Sequence, residues 1–294
     1  MQKVLKKNLL ACAITAVIGL ASSGAMAQSF PDFTVNELAV GGGALQNVFT
    51  ADKITGNYVE VATFTPNSAT SGTFSASLQW SAGQFLSNDG KTLAASQLGS
   101  FTPNQYGLYA LYQAGGSYTM SGGKTTFTFS PQATNTFSLF LDPNADTTFF
   151  APSNGSTVFT TGNFVDDRLI GSGFPTSGQG TLDPTLSTCP ATGSTGSAGN
   201  QTGNGINCGS FGTSSTFALN SEGTKYFVAP NPFYNVSFQS GQLNNFTPSG
   251  TQTINGSLDV IFGNVSNAVP EPTSIALLGL GLFGLGMSRR RKQA

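Results

Sequence analysis

The chain predicts an all-β fold, an antiparallel β-sandwich or related barrel, on three observations. Apolar residues recur at every second position, turn-forming residues punctuate these runs, and the body of the chain sustains no helical period. In Phe74-Ser75-Ala76-Ser77-Leu78-Gln79-Trp80 the apolar residues alternate with small polar ones. The same phase fits Thr125 to Phe129, Phe137 to Leu141, Tyr234 to Phe238 and Leu258 to Phe262. Alternation places one side of each strand on a core and the other toward water. The expected turns are Pro66-Asn67-Ser68, Asn88-Asp89-Gly90, Gly115-Gly116, Ser121-Gly122-Gly123, Asp142-Pro143-Asn144, Asn154-Gly155 and Asn255-Gly256. Gly and Asn accept positive φ there, and Pro fixes φ ahead of a bend. With 24 Phe in the chain, the core should be aromatic-rich.

From Gly171 to Thr216 the chain is dominated by Gly, Ser, Thr and Asn, and Asp183 is its one charge. Such composition buries little apolar surface against its ordering entropy, so residues 171–216 read as a long loop inside one β domain, residues 28–267. An N-terminal signal helix and a short C-terminal apolar helix complete the expected fold. Residues 1–27 read as a secretory signal peptide: Lys3, Lys6 and Lys7 precede the apolar run Leu9 to Leu20, and Ala25 and Ala27 occupy the positions that signal peptidase reads. Cys12 lies before most of that run, so it does not make a lipoprotein box.

Only 25 of 294 residues are formally charged, 12 basic and 13 acidic, and there is no histidine. That removes imidazole as base or metal ligand, and with it Ser-His-Asp and Cys-His chemistry and most zinc sites. Seven of the basic residues sit in the two end segments, leaving Lys53, Lys91, Lys124, Arg168 and Lys225 against twelve acids between residues 28 and 270. A body this acidic excludes a nucleic-acid partner.

Cys189 and Cys208 are the cysteines of the mature chain, and in an oxidising exterior two cysteines closing a short loop form a disulfide. Asp142, Asn144 and Asp146 have the spacing of a calcium loop, but Thr147 and Ser153 stand where that loop carries Gly and Glu. A turn with Asx-type hydrogen bonds is the simpler reading, calcium the alternative, and no other cofactor is expected. Asp166-Asp167-Arg168 is the densest charge cluster of the body. Adjacent strand residues face opposite ways, so the two acids do not form a glycosidase pair, and a local contact between Arg168 and a carboxylate is expected. Trp80, Tyr106, Tyr109 and Tyr112 would stack on sugar rings if exposed, against the plainer expectation of core packing.

At the other end, Val269-Pro270-Glu271-Pro272-Thr273-Ser274 leads into the apolar, glycine-containing run Ile275 to Met287 and then Arg289-Arg290-Arg291-Lys292. The apolar run is shorter than the roughly 20 residues of a comfortable membrane span, and its basic flank favours the cytoplasmic side. Residues 268–294, with Pro270, Glu271, Pro272, Arg289, Arg290 and Arg291 in this order, resemble the PEP-CTERM sorting signal of Gram-negative bacteria. That resemblance implies transient inner-membrane anchoring, cleavage by the membrane peptidase exosortase and delivery to the cell surface or extracellular matrix. Phe33 to Glu37, with Phe49 to Glu60, resembles the opening of the flocculation-associated PEP-CTERM proteins, which implies a role with exopolysaccharide in flocs or biofilm.

The expected function is therefore an exopolysaccharide-associated structural or adhesive matrix protein, capable of self-association and not an enzyme. A discrete lectin-like glycan-binding module is the alternative, and a secreted carboxylate-dependent hydrolase a further one.

Overall fold

In chain order the elements are β1 (Phe33–Asn36), a 3₁₀ turn (Glu37–Val40), β2 (Val48–Ala51), β3 (Lys53–Ser68), β4 (Ser71–Ser87), β5 (Thr92–Leu93), β6 (Gly107–Ser121), β7 (Lys124–Ser130) and β8 (Thr136–Asp142). There follow β9 (Thr148–Phe150), β10 (Thr160–Gly162), β11 (Arg168–Gly173), β12 (Pro175–Leu182), β13 (Gly209–Ser215), β14 (Ala218–Leu219), a single helical turn α1 (Gly223–Tyr226), β15 (Phe227–Ala229), β16 (Asn235–Ser240) and β17 (Gly250–Gly263). The structure is a computed structural model, and it describes residues 30–41, 47–99, 106–132, 134–187, 189 and 207–263.

Eight of these strands close an antiparallel barrel in the order β3-β4-β6-β7-β12-β13-β16-β17, with β17 returning to β3. The alternating residues of the sequence become its two faces. Along β3, Tyr58, Ala62 and Phe64 are buried, while Asn57 and Thr65 are exposed. Across the barrel, Phe127, Phe238 and Leu258 likewise fill the interior, whereas Thr126, Thr128 and Gln239 face out. Aromatic inside and hydroxyl outside is the reverse of a barrel that spans lipid. Among the described residues no helix is long and apolar enough to cross a membrane. The expected signal helix and C-terminal apolar helix lie outside the described residues.

Strand β6 shares one edge between two partners. Residues 115–121 pair with β7 and carry the barrel onward, whereas residues 107–113 pair with β8, which continues through β11 to β14 as a side branch. The changeover falls on Gly115-Gly116. A Cβ on Gly116 would stand 2.0 Å from the Thr128 carbonyl oxygen, and one on Gly115 would stand 2.9 Å from that of Phe74. These glycines were expected to be a turn, and the structure corrects this: they are mid-strand, retained for close backbone approach. Asn255-Gly256 is corrected in the same way. It lies inside β17, where a Cβ on Gly256 would meet the Tyr58 ring at 2.9 Å. By contrast, Gly122 and Gly123, at φ 58° and 80°, do make the expected β6–β7 hairpin turn.

The loop expected over 171–216 is corrected at both ends. Residues 175–182 are β12 and residues 209–215 are β13, paired with each other over seven registered positions and built into the barrel wall. A ladder uses backbone groups, which Gly, Ser and Thr supply as well as larger residues do. Leu182 and Phe211 bring the apolar contacts.

A second sheet, in the order β15-β1-β2, plugs the end where β17 finishes. The Phe33 ring lies 5.0 Å from Phe262 and 5.8 Å from Phe227, and Phe49 lies 5.2 Å from Phe85, mostly edge to face. Asp52 fixes the neighbouring β4–β5 turn by accepting from the backbone N–H of Asp89 (2.6 Å) and Gly90 (3.0 Å).

Gly116→Ala should therefore lower unfolding stability by about 1–3 kcal/mol, the range for overpacking a filled site. Gly263→Ala, where an added Cβ meets nothing within 4 Å, should leave it nearly unchanged. Urea unfolding of the two variants makes the comparison.

Candidate functional site

The end of the barrel away from the plug holds a small chamber. The inward residues of β3 run Tyr58, Glu60, Ala62, Phe64, so a carboxyl group enters an aromatic interior at a position where the alternation calls for an apolar side chain. Glu60 lines a cavity of about 30 Å³ together with Phe64, Phe74, Phe127, Phe129, Phe211, Leu243, Phe246 and Ile254. The rings hold one another: Phe246 stacks near Phe64 at 5.7 Å and Phe127 at 5.9 Å, and Phe74 meets Phe129 edge-on at 5.1 Å. Phe129, Phe211 and Phe246 are half-buried and form the rim.

Burial pushes the Glu60 carboxyl up from the ordinary 4.5 to about 7. By exposed area Glu60 is half-buried, beside the cavity that it lines. Glu60 makes no ion pair or hydrogen bond among the described residues. The titratable groups coupled to it are the phenols of Tyr58 on β3 and Tyr112 on β6, both pushed upward by burial and therefore neutral. Outside the cavity's lining, the buried Tyr112 phenol has the Thr213 and Ser215 hydroxyls beside it and that of Tyr58 has Ser240, and among the described residues the Tyr58, Tyr112, Thr213 and Ser215 hydroxyls make no well-formed hydrogen bond. Unsatisfied buried polar groups are rare, and a cluster of them marks a place where water or a ligand belongs.

A second carboxylate, Glu37, is fully buried beside the plug sheet. It accepts from Ser96 Oγ (2.8 Å), Gln97 N–H (2.8 Å) and the Tyr106 hydroxyl (2.9 Å), and Tyr106 in turn meets the Tyr226 hydroxyl at 2.7 Å. This network ties the 3₁₀ turn, the segment after β5, β6 and α1 together, which is a structural task. It also gives a physical reason for Glu37 in the Phe33–Glu37 segment.

The acids beyond β8 sort differently from the sequence expectation. Asp142 closes its turn by accepting from the backbone N–H of Asp146 (3.3 Å) and Thr147 (2.9 Å), as an Asx-type turn does. Asp142, Asp146 and Asp166 bring carboxylate oxygens within 4.8 Å of one another, while Asn144 is exposed on the intervening turn. These three are the group among the described residues that could share a calcium ion, which takes six to eight oxygens in all. Asp167 accepts from the Tyr109 hydroxyl (2.5 Å) and from Thr147 Oγ1 (2.9 Å), and its carboxyl is shifted upward chiefly by burial. The expected contact of Arg168 with a neighbouring acid is not made. At the start of β11 Arg168 points elsewhere, donating to the Ala39 carbonyl (2.9 Å) and to that of Val40, and pairing with Glu222 at 3.5 Å.

Trp80, Tyr106, Tyr109 and Tyr112 are all buried. Trp80 donates its indole N–H to the Leu258 carbonyl (3.1 Å), and Tyr109 stacks on Phe140 at 5.0 Å. They form core and wall, leaving no sugar-stacking platform at these positions. Cys189 and Cys208 form the expected disulfide, with Cα atoms 4.6 Å apart. Its base is pinned to the barrel: Asp183 N–H donates to the Cys208 carbonyl (2.7 Å), and Cys208 N–H donates to that of Leu243 (2.8 Å). The Asp183 carboxylate meets Lys124 at 2.6 Å, and that contact, with Thr185, holds it at about 2.

Sequence reasoning missed the chamber. Its one legible sign was an acid in the inward phase of β3, between Tyr58 and Phe64.

A disulfide-stapled, hydroxyl-faced barrel suits an exported protein. The C-terminal residues define the route: residues 268–292 match the PEP-CTERM protein-sorting motif, which marks an exported cell-surface protein processed by exosortase. Pro270, Glu271, Pro272, Arg289, Arg290 and Arg291 fall inside that match, and they lie, with Ala25 and Ala27, outside the described residues. No curated protein and no solved structure matches the chain.

Two measurements follow. Because the folded pKa of Glu60 is raised, the folded state holds the proton more tightly, and the stability this provides is present at low pH and lost as pH rises from about 4.5 through about 7. Glu60→Gln should flatten that decline, giving a higher Tm than wild type at pH 8. Replacing both Cys189 and Cys208 by Ser opens a loop with a sequence separation of 19. Denaturant unfolding should register a loss of about 3 kcal/mol.

Proposed function

We propose that the chain is a non-enzymatic matrix protein that associates with neutral exopolysaccharide and supports floc or biofilm formation. The observation that carries this reading is the sorting sequence at residues 268–292. In this reading signal peptidase removes residues 1–27, the C-terminal segment anchors the chain briefly in the inner membrane, and exosortase passes it to the cell surface or matrix.

The outer wall supports the reading. Cross-strand registers place Ser71, Thr119, Thr126, Thr181 and Ser210 in one row across β4, β6, β7, β12 and β13. A neighbouring row runs Thr65, Thr73, Ser117, Thr128 and Gln179 across β3, β4, β6, β7 and β12. Ser71 is half-buried and the other nine are exposed. Adjacent strands lie about 4.8 Å apart, so the rows form an uncharged lattice of donors and acceptors suited to a polymer of hydroxyl groups. Phe150, Phe164 and the almost fully exposed Val165, on the excursion between β8 and β11, offer apolar surface for self-association.

Deleting the gene should abolish flocculation while polysaccharide synthesis continues. Mass spectrometry of the extracellular polymer should find the chain ending near Glu271. Thr119→Glu with Thr128→Glu, and separately Val165→Asp, should each reduce floc size in a graded way without changing export. Unchanged flocculation in the deletion strain would overturn the proposal. A product that cleaves the polysaccharide would replace it with a hydrolase.

A further inference from the structure

The interior chamber is independent of the outer wall and goes beyond the matrix reading. Glu60 occupies the middle of an inward cross-strand row, Ile254–Glu60–Leu78–Tyr112, spanning β17, β3, β4 and β6. It is a carboxyl group with no cation facing it, set among phenylalanine rings whose faces and edges carry the electrostatics of a cation site. Isolated features of this kind are satisfied by water. An unpaired acid and a ring-lined rim in one cavity call for a ligand with positive charge and an apolar end.

We propose that the barrel chamber binds a small ammonium group, with Glu60 as counter-ion and the phenylalanine rim against the carbon adjoining the nitrogen. An alkylammonium supplies three donors and a positive charge, and the two carboxylate oxygens accept from it. Its carbon packs on the rings and gains cation–π attraction in a site shielded from water. The cavity, about 30 Å³, admits one small head group, so the ligand is a free small amine or the amino group of a larger molecule entering from the rim. Binding requires the ionised carboxylate, so below about pH 7 each cation captured should release a proton from Glu60.

Calorimetric titration of the full chain with methylammonium, glucosamine and the neutral methanol tests this. The expected result is saturable binding of methylammonium, none of methanol, and release near one proton per cation at pH 6, falling toward zero at pH 9. The proton count comes from comparing buffers of different ionisation enthalpy and needs only the wild-type chain. Glucosamine binding as well would identify an amino group on a larger molecule, whereas methylammonium binding alone would identify a free amine. Glu60→Gln should weaken methylammonium at least about tenfold, the loss of one charge-assisted contact. Phe129→Leu, which removes a rim ring and keeps the charge, should weaken it several-fold, and this second variant holds the test if Glu60→Gln does not fold. Absence of methylammonium binding, equal binding of methanol, or binding without proton release at pH 6 would overturn the proposal and leave the chamber as a buried water site.

Discussion

Closure of the barrel rests on how one strand divides its hydrogen-bonding edge. β6 pairs along its whole length with β4 on one side, and on the other gives residues 107–113 to β8 and residues 115–121 to β7. Were β8 to take the entire edge, β7 would lose its place and the sheet would stay open, exposing unpaired strand edges. Division is possible because Gly115 and Gly116 let the β7 and β4 backbones approach where a side chain would collide with carbonyl oxygens. The side branch through β8, β11 and β14 and the eight-stranded barrel both originate at that dipeptide.

Once closed, the barrel has an interior that only side chains can fill, and the two ends are filled differently. Toward the plug, Phe33, Phe85, Phe227 and Phe262 interlock with the short sheet of β1, β2 and β15. Glu37 is buried there too, but three donors meet it. Toward the other end the aromatic lining continues without equivalent donors for Glu60. The same residue type therefore does opposite work: one carboxylate consolidates four segments, and the other leaves a polar interior incomplete.

Much of this architecture is legible in the sequence, because alternation is a local property. Phe74 to Trp80, Thr125 to Phe129 and Leu258 to Phe262 all lie in strands, although Ser77 and Gln79, on the side of β4 expected to face water, are buried. What is not legible is non-local. Nothing in residues 58–64 says that Glu60 will sit two strands from Tyr112. The glycine signal is ambiguous as well, since Gly122-Gly123 turns the chain and Gly115-Gly116 lets two backbones touch. The segment 171–216 misleads for a related reason: its composition describes side chains, whereas β12 and β13 are held by main-chain bonds between neighbours that are themselves well anchored. The disulfide, by contrast, needed only two cysteines and an export signal.

The direction of β17 sets which end of the barrel the sorting motif follows. This strand runs from the chamber end at Gly250 to the plug end at Gly263, and the sorting motif begins at residue 268. At no more than about 3.6 Å per residue, the intervening link spans less than about 20 Å. The motif therefore begins within that reach of the plug end of the barrel, opposite the chamber. Exosortase processing thus acts on the chain beyond the plug end, and the ring-lined chamber lies at the far end of the barrel.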